Sequence, residues 1–161
     1  MVMYRKEREG RMSTGTEKRV VDSEIRLIPY YRNDEVSLPW YQNRDLVKMV
    51  DNHDTPYDIP LLHRMYDYLS ENGDCYYIEY DGVPVGDVTL LESGEIAIVI
   101  SKEYQGKHIG RRCVKEMLKL AKEKGMTAVK AVIYSFNIPS QRMFVSLGFR
   151  KTGDEEYTHT L

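Results

Sequence analysis

From Glu24 onward the apolar and polar positions fall into blocks of two periods. EIRLIPYY, residues 24–31, is dense in strand formers and predicts a first strand. LPWYQNRDLVKMV, residues 38–50, predicts a short helix ending near Asp51. A second helix starts at Asp58, whose carboxylate caps it. Pro60 fits its first turn, Leu62, Met65, Tyr66 and Leu69 share a face, and Gly73 stops it. CYYIEY, the pair Asp81-Gly82 and VPVGDVTLL then spell a β-hairpin. Glu92-Ser93-Gly94 turns the chain into EIAIVI, which is apolar on both faces, as a central strand would be. Over 109–124, Ile109, Cys113, Met117 and Leu120 or Ala121 form one helical stripe, with Gly125 just beyond. MTAVKAVIY, residues 126–134, predicts a strand. Residues 138–147 predict a short helix with Pro139 in its first turn and Ser140, Phe144 and Leu147 a turn apart. GFR and EEYTHTL close the chain as two strands. The sum is a mixed α/β domain over 23–161, with about seven strands and about four helices, behind a flexible basic arm over 1–22.

Composition narrows the function. The chain has 161 residues, 42% apolar and 30% charged, with a net charge of −2. That is an ordinary globular composition, and the charge gives no reason to expect nucleic acid as a partner. No apolar run approaches the roughly 20 residues of a membrane span, and the N-terminus lacks the apolar core of a secretory signal. Two cysteines, Cys75 and Cys113, read as thiols of a reducing compartment, so a cytoplasmic location is expected. The four histidines are scattered and no CxxC occurs, so no metal is expected. The charge is unevenly spread. Residues 101–125 hold eight Lys/Arg against three Asp/Glu, and residues 33–60 hold six Asp/Glu against two Lys/Arg. One region favours an anion and the other a cation, unless both are merely solvated faces.

The basic region begins with the loop Gln105-Gly106-Lys107-His108-Ile109-Gly110, which opens the long helix. A helix start presents free N–H groups and a partial positive charge, and glycines let those amides close around phosphate oxygens. Lys107, Arg111 and Arg112 add charge. Neither the ATP-type phosphate loop nor the dinucleotide fingerprint is present. A tight turn before a helix would explain the loop equally well if it stood alone.

It does not stand alone. The loop resembles the acetyl-CoA signature of the GNAT superfamily of N-acetyltransferases, Q/R-x-x-G-x-G/A, between that fold's fourth strand and third helix. NIPSQRMFVSLGF, residues 137–149, resembles the family's second conserved block, and the element order agrees over roughly 24–161. The resemblance implies the GNAT acyl-CoA N-acyltransferase fold and acetyl-CoA as cosubstrate. It implies that the amides of Gly106, Lys107, His108, Ile109, Gly110 and Arg111, beside Gln105, hold the pyrophosphate. Ile98, Val99 and Ile100 would pair with the pantetheine arm, and an N–H near Val99 would serve as oxyanion donor. Asn137 would bond the arm, unless it is only the cap of its helix, and Ser140 and Phe144 would lie in the same set.

Two positions depart from the family pattern. His108 stands where the family usually has glycine. Phe144 stands where many members carry the tyrosine that protonates the departing thiolate. Tyr134 or water could replace that acid, and Tyr134 could equally be a core aromatic. For the base that takes the amine's proton, Glu95 and Asp87 are candidates, against the reading of solvated strand-edge carboxylates. The acceptor would meet residues 33–73, with Trp40, Asp45 and Asp87 as its contacts. WYQNRD resembles the branch containing aminoglycoside and ribosomal-protein acetyltransferases, although Trp40 could equally be core. The expected activity is transfer of acetyl to a primary amine on a small cationic molecule or a peptide, by a monomer or homodimer. The alternative is a module that senses acetyl-CoA without turning it over.

Overall fold

The computed structural model describes residues 17–161. Eight strands and five α-helices follow one another among those residues. They are β1 (Arg19–Val20), β2 (Ile25–Pro29), α1 (Asp34–Tyr41), α2 (Arg44–Asp51) and α3 (Ile59–Asn72). Next come β3 (Gly73–Tyr80), β4 (Val83–Leu91), β5 (Ile96–Ile100), a 3₁₀ turn at Lys102–Tyr104 and α4 (Ile109–Glu123). The chain ends with β6 (Ala128–Val132), α5 (Ile138–Ser146), β7 (Arg150–Lys151) and β8 (Glu156–Thr160).

Several elements form for the expected local reasons. Asp58 accepts a bond from the Leu61 amide at 2.9 Å and caps α3. Asp81 and Gly82 both take positive φ, the twist a two-residue hairpin needs, between β3 and β4. The single helix expected over 38–50 is instead two. Asn43 adopts an extended backbone and accepts from the Leu46 amide at 3.0 Å, so it caps a new helix where the apolar spacing ran on unbroken.

One antiparallel sheet has the order β1-β2-β3-β4-β5, and a second has the order β6-β8-β7. The EIAIVI strand is therefore not central. β5 is the edge of the first sheet, and among the described residues its pairing with the second is a parallel bridge just before it, Glu95 to Lys130. Its apolar outer positions face a gap rather than a neighbouring strand, which is why an apolar pattern alone misplaced it. Nor is the segment up to residue 22 a free arm throughout. Among its described residues, Arg19 and Val20 pair with Leu27 and Arg26, and Arg19 forms ion pairs with Glu116 and Glu123 on α4. Residues 1–16 lie outside the described part.

The large sheet has a core on each face. Ile25, Leu27, Tyr76, Val88 and Leu90 pack with Cys113, Val114 and Met117 of α4. On the other face, Cys75, Tyr77, Leu91 and Val99 pack with Trp40, Tyr41, Leu46, Leu62 and Tyr66 of the first three helices.

Candidate active site

β5 and β6 touch at Glu95 and Lys130 and then diverge. The Leu91 amide bonds the Glu95 carbonyl at 2.9 Å, and the Ser101 amide bonds the Val85 carbonyl at 2.8 Å. Backbone groups along a strand alternate in direction, so the odd-numbered residues of β5 point at β4. Ile98 and Ile100 turn theirs into the gap. The Ile100 carbonyl there accepts from the Gln105 side-chain amide at 2.9 Å. Two chambers open along the gap, of about 700 and about 320 Å³. Met49, Val50, Ile98, Asn137 and Ser140 line both, which makes them two ends of one passage.

The larger chamber is bounded by the loop and first turn of α4, and by Arg142, Met143 and Ser146 of α5. The first-turn amides of α4 have no intrahelical acceptor, and the helix adds its partial positive end. Arg111 and Arg142 bring two guanidiniums to the lining, and Arg111 donates to the Ser146 hydroxyl. Arg112 is occupied elsewhere. It holds Asp22 and Glu24, each at 2.9 Å, and so ties α4 to the start of β2. Lys107 lies on the exposed loop and lines neither chamber.

The smaller chamber has the opposite character. Among the described residues no lysine, arginine or histidine lines it, whereas Asp51, Asp87 and Glu95 do, with Tyr41, Tyr57 and Tyr134. Asp87 is 2% exposed and directly opposes Val99 across the β4–β5 ladder. Next to it, a Cβ on Gly86 would stand 2.0 Å from the Val99 carbonyl oxygen, so only glycine lets the two strands approach this closely. Asp87 Oδ2 accepts from the Tyr41 hydroxyl at 2.7 Å and from the Tyr66 hydroxyl at 2.8 Å. Burial pushes the carboxyl up to about 6, against the downward pull of those two bonds. Tyr57 donates to Asp51 at 2.7 Å. The Tyr134 hydroxyl makes no hydrogen bond among the described residues. Burial, then Asp51, Glu155 and Glu95, raise its phenol above the usual range and keep it protonated.

A passage with an anion-seeking mouth and an ionisable carboxyl beyond it is not diagnostic by itself. Residues 37–149 match the family model described as the acetyltransferase (GNAT) family. The chain belongs to that family. A domain from Methanocaldococcus jannaschii is 31% identical, with a TM-score of 0.76 over 87% of this chain and all of that one. The microcin C7 self-immunity acetyltransferase MccE, solved with acetyl-CoA and AMP, is 17% identical. Its TM-score is 0.70 over 88% of this chain and 94% of its own, a likeness of fold. Human N-acetyltransferase 8B is 28% identical over 97 residues, 53% of this chain and 43% of that protein. The chain spans about half the length of such curated relatives.

Within the GNAT frame, most residues singled out for the cosubstrate share one lining. Ile98, Ile100, Gln105, Gly106, His108, Ile109, Gly110, Arg111, Asn137 and Ser140 bound the larger chamber. Val99 and Phe144 instead bound the smaller one. By the alternation above, the Val99 amide points at β4, so the N–H turned into the gap is that of Ile98. His108 takes φ +61°, the left-handed conformation a glycine would adopt freely, and its imidazole is exposed. Gly110 has ordinary backbone, and an added Cβ would meet Ile98, Ile100 and Met143 at 3.7–3.8 Å, so no strain requires glycine there. Asn137 caps α5 through the Ser140 amide and also donates to the Met49 carbonyl, joining α5 to α2. Phe144 is buried edge-on against Phe149.

Of the expected acceptor contacts, only Asp87 lines a chamber. Trp40 is buried edge-on against Tyr77, in the core behind the site. Asp45 is exposed and paired with Lys102 at 2.6 Å, outside both linings. Sequence reasoning missed Arg142 and the bonds the phenols make: Tyr41 and Tyr57 fell only within the aromatic, acidic region expected to meet the acceptor, and Tyr66 on the apolar face of α3. Arg142 was visible as a cation five positions beyond Asn137. The tyrosines carried no signal, because nothing in the chain separates a phenol aimed at a carboxylate from a core ring.

Proposed function

We propose that the protein transfers the acetyl group of acetyl-CoA to a primary amine on a cationic acceptor, in a ternary complex. The observation that carries this reading is the single passage with guanidiniums and free amides at one end and a buried, ionisable Asp87 at the other. The residues present suit the cosubstrate. The α4 amides, Arg111 and Arg142 meet an anionic pyrophosphate, and the gap-facing groups of Ile98 and Ile100 meet an amide-bearing arm. When bound, acetyl-CoA supplies an activated acyl group whose carbonyl oxygen gains charge as the amine adds.

In this reading Asp87 accepts one proton from the amine, directly or through water, and leaves nitrogen with a lone pair for the carbonyl carbon. The Ile98 N–H stabilises charge on the carbonyl oxygen. As the C–S bond breaks, Tyr134 donates its phenolic proton to the sulfur, the role that Phe144 lacks the chemistry to fill, and regains one through water from the second proton that the nitrogen sheds on becoming an amide. Glu95 and Asp51 add negative charge to the acceptor chamber, which favours a cationic substrate over an anionic one.

Thiol release from acetyl-CoA, followed across amines of increasing positive charge, tests the proposal. Turnover that rises with acceptor charge and falls with salt is the expected result. Calorimetric binding of acetyl-CoA without thiol release on any amine would replace the enzyme reading with that of a sensor. Failure to bind at millimolar concentration would remove both.

A further inference from the structure

The bonding around Asp87 is asymmetric. Both phenols converge on Oδ2, Tyr41 from the end of α1 and Tyr66 from the middle of α3. Oδ1 accepts no bond from the described residues, and Asp87 lines the acceptor chamber. The phenols are themselves fixed. Tyr30 stacks on Tyr66 at 4.4 Å, Tyr57 lies against Tyr41 at 5.0 Å, and the Tyr41 and Tyr66 rings meet edge-on at 6.2 Å. Two donors on one oxygen block rotation about the Cβ–Cγ bond, because turning the carboxylate would abandon both bonds in a buried place.

We infer that Tyr41 and Tyr66 are positioning residues for proton transfer: together they hold Asp87 Oδ2 so that Oδ1 alone is offered to the acceptor amine. This rests on Asp87 being the proton acceptor proposed above. The phenols also stabilise the charged form. A carboxyl this deeply buried is otherwise driven to hold its proton, and a base already protonated at neutral pH accepts nothing. The other titratable groups around Asp87 cannot substitute. They are Tyr57 from the segment before α3, Cys75 and Tyr77 from β3, and Asp51 and Glu95 on the chamber wall, none of them a cation. If the phenols served packing alone, a neutral residue at position 87 would satisfy the same core more cheaply.

The test uses Tyr41→Phe, Tyr66→Phe and the double variant. Each removes one hydroxyl and keeps the ring, with thermal melting as the check on folding. The first readout is a ¹³C NMR pH titration of the Asp87 carboxyl carbon in the free protein, assigned by its loss in Asp87→Asn. The midpoint should rise by about one unit per hydroxyl removed, as expected for a hydrogen bond to a charged group. The second readout is thiol release with spermidine as acceptor. Here kcat at pH 7 should fall about twofold in each single variant and about tenfold in the double variant, recover as pH rises, and leave the KM for acetyl-CoA unmoved. A folded pair of single variants with unshifted midpoints, or with parental kcat, would overturn the positioning role. Full turnover by Asp87→Asn would instead sink the proton-acceptor reading beneath it, so the two failures are distinguishable.

Discussion

The two chambers of the passage are made of different materials. The larger chamber, where the proposal puts the cosubstrate, is largely backbone: a left-handed residue at 108, the free amides of one helical turn and the outward groups of one strand, from residues 98–111, with side chains of α2 and α5 closing it. The smaller chamber, where the proposal puts the acceptor, is side chains gathered from four helices, three strands and the loops between them, and its Asp87 is buried. A backbone site demands a particular local conformation, so it leaves a contiguous trace in the sequence. A side-chain site demands only that distant residues meet after folding. It leaves no local trace, and it is free to change while the other stays.

The sharpest way to break this contrast is Asp87→Asn. If the acceptor chamber holds the base, turnover should fall by about two orders of magnitude or more while the acetyl-CoA Kd stays put. Stability should move the other way. The folded carboxyl sits at about 6, above the usual carboxylate value, so the folded chain binds this proton more tightly than the unfolded one. Its contribution to stability is fully present at low pH and is lost as pH rises through that value. Above it, a buried charge is a net cost of up to about 3 kcal/mol, which asparagine removes. Denaturant melts at pH 5 and 8 should show the variant gaining on the parent as pH rises from the lower value to the higher. Turnover of the parent should itself decline below about pH 6, where Asp87 takes up its proton.

The opposite chamber should fail in the opposite way. Arg111→Ala and Arg142→Ala each remove a guanidinium from the cosubstrate lining. Each should weaken acetyl-CoA binding about tenfold and flatten its salt dependence, with kcat at saturation nearly unchanged. Calorimetry at two ionic strengths measures both. Equal losses in the acceptor KM would mean that the two chambers are not separable.

His108 shows how the sequence spoke and how it could be misread. The motif pointed to a glycine-like position, and the left-handed φ is what that position requires. Nothing in the pattern told whether the side chain turned inward. His108→Gly should relieve strain of about 1 kcal/mol, read as a higher denaturant midpoint, with acetyl-CoA affinity held. A large loss of affinity would give the imidazole a binding role. The helices, the hairpin and the loop were legible for the same reason: Asp58, Asp81-Gly82 and Gly106 each encode a local backbone state. β5 was not, since a strand edged by a gap and a strand edged by a neighbour have the same apolar pattern. Trp40 stayed open between core and substrate wall because a tryptophan near an acidic run reads alike in both, and the structure buries it against Tyr77.

The smallest expected effect is the most discriminating for the acceptor. Asp45 and Asp51 belong to the same acidic run, six positions apart on α2, and the sequence gives no ground for separating them. The structure separates them completely. Asp45 is exposed, and the Lys102 ammonium at 2.6 Å holds its carboxyl below the usual range. Asp51 is half-buried, lines the acceptor chamber and uses one oxygen for Tyr57. A charge already paired in open solvent contributes little to the field inside a cleft, and an exposed ion pair contributes little to stability. Asp45→Asn should therefore shift the KM for a polycationic acceptor by less than about twofold. Asp51→Asn should raise it several-fold, with the difference shrinking as salt is added. Steady-state titrations of both variants with spermidine decide the matter. If Asp45→Asn proved the more damaging, the acceptor would have to approach across the exposed α2 face, and the chamber holding Asp87 would lose its claim to the amine.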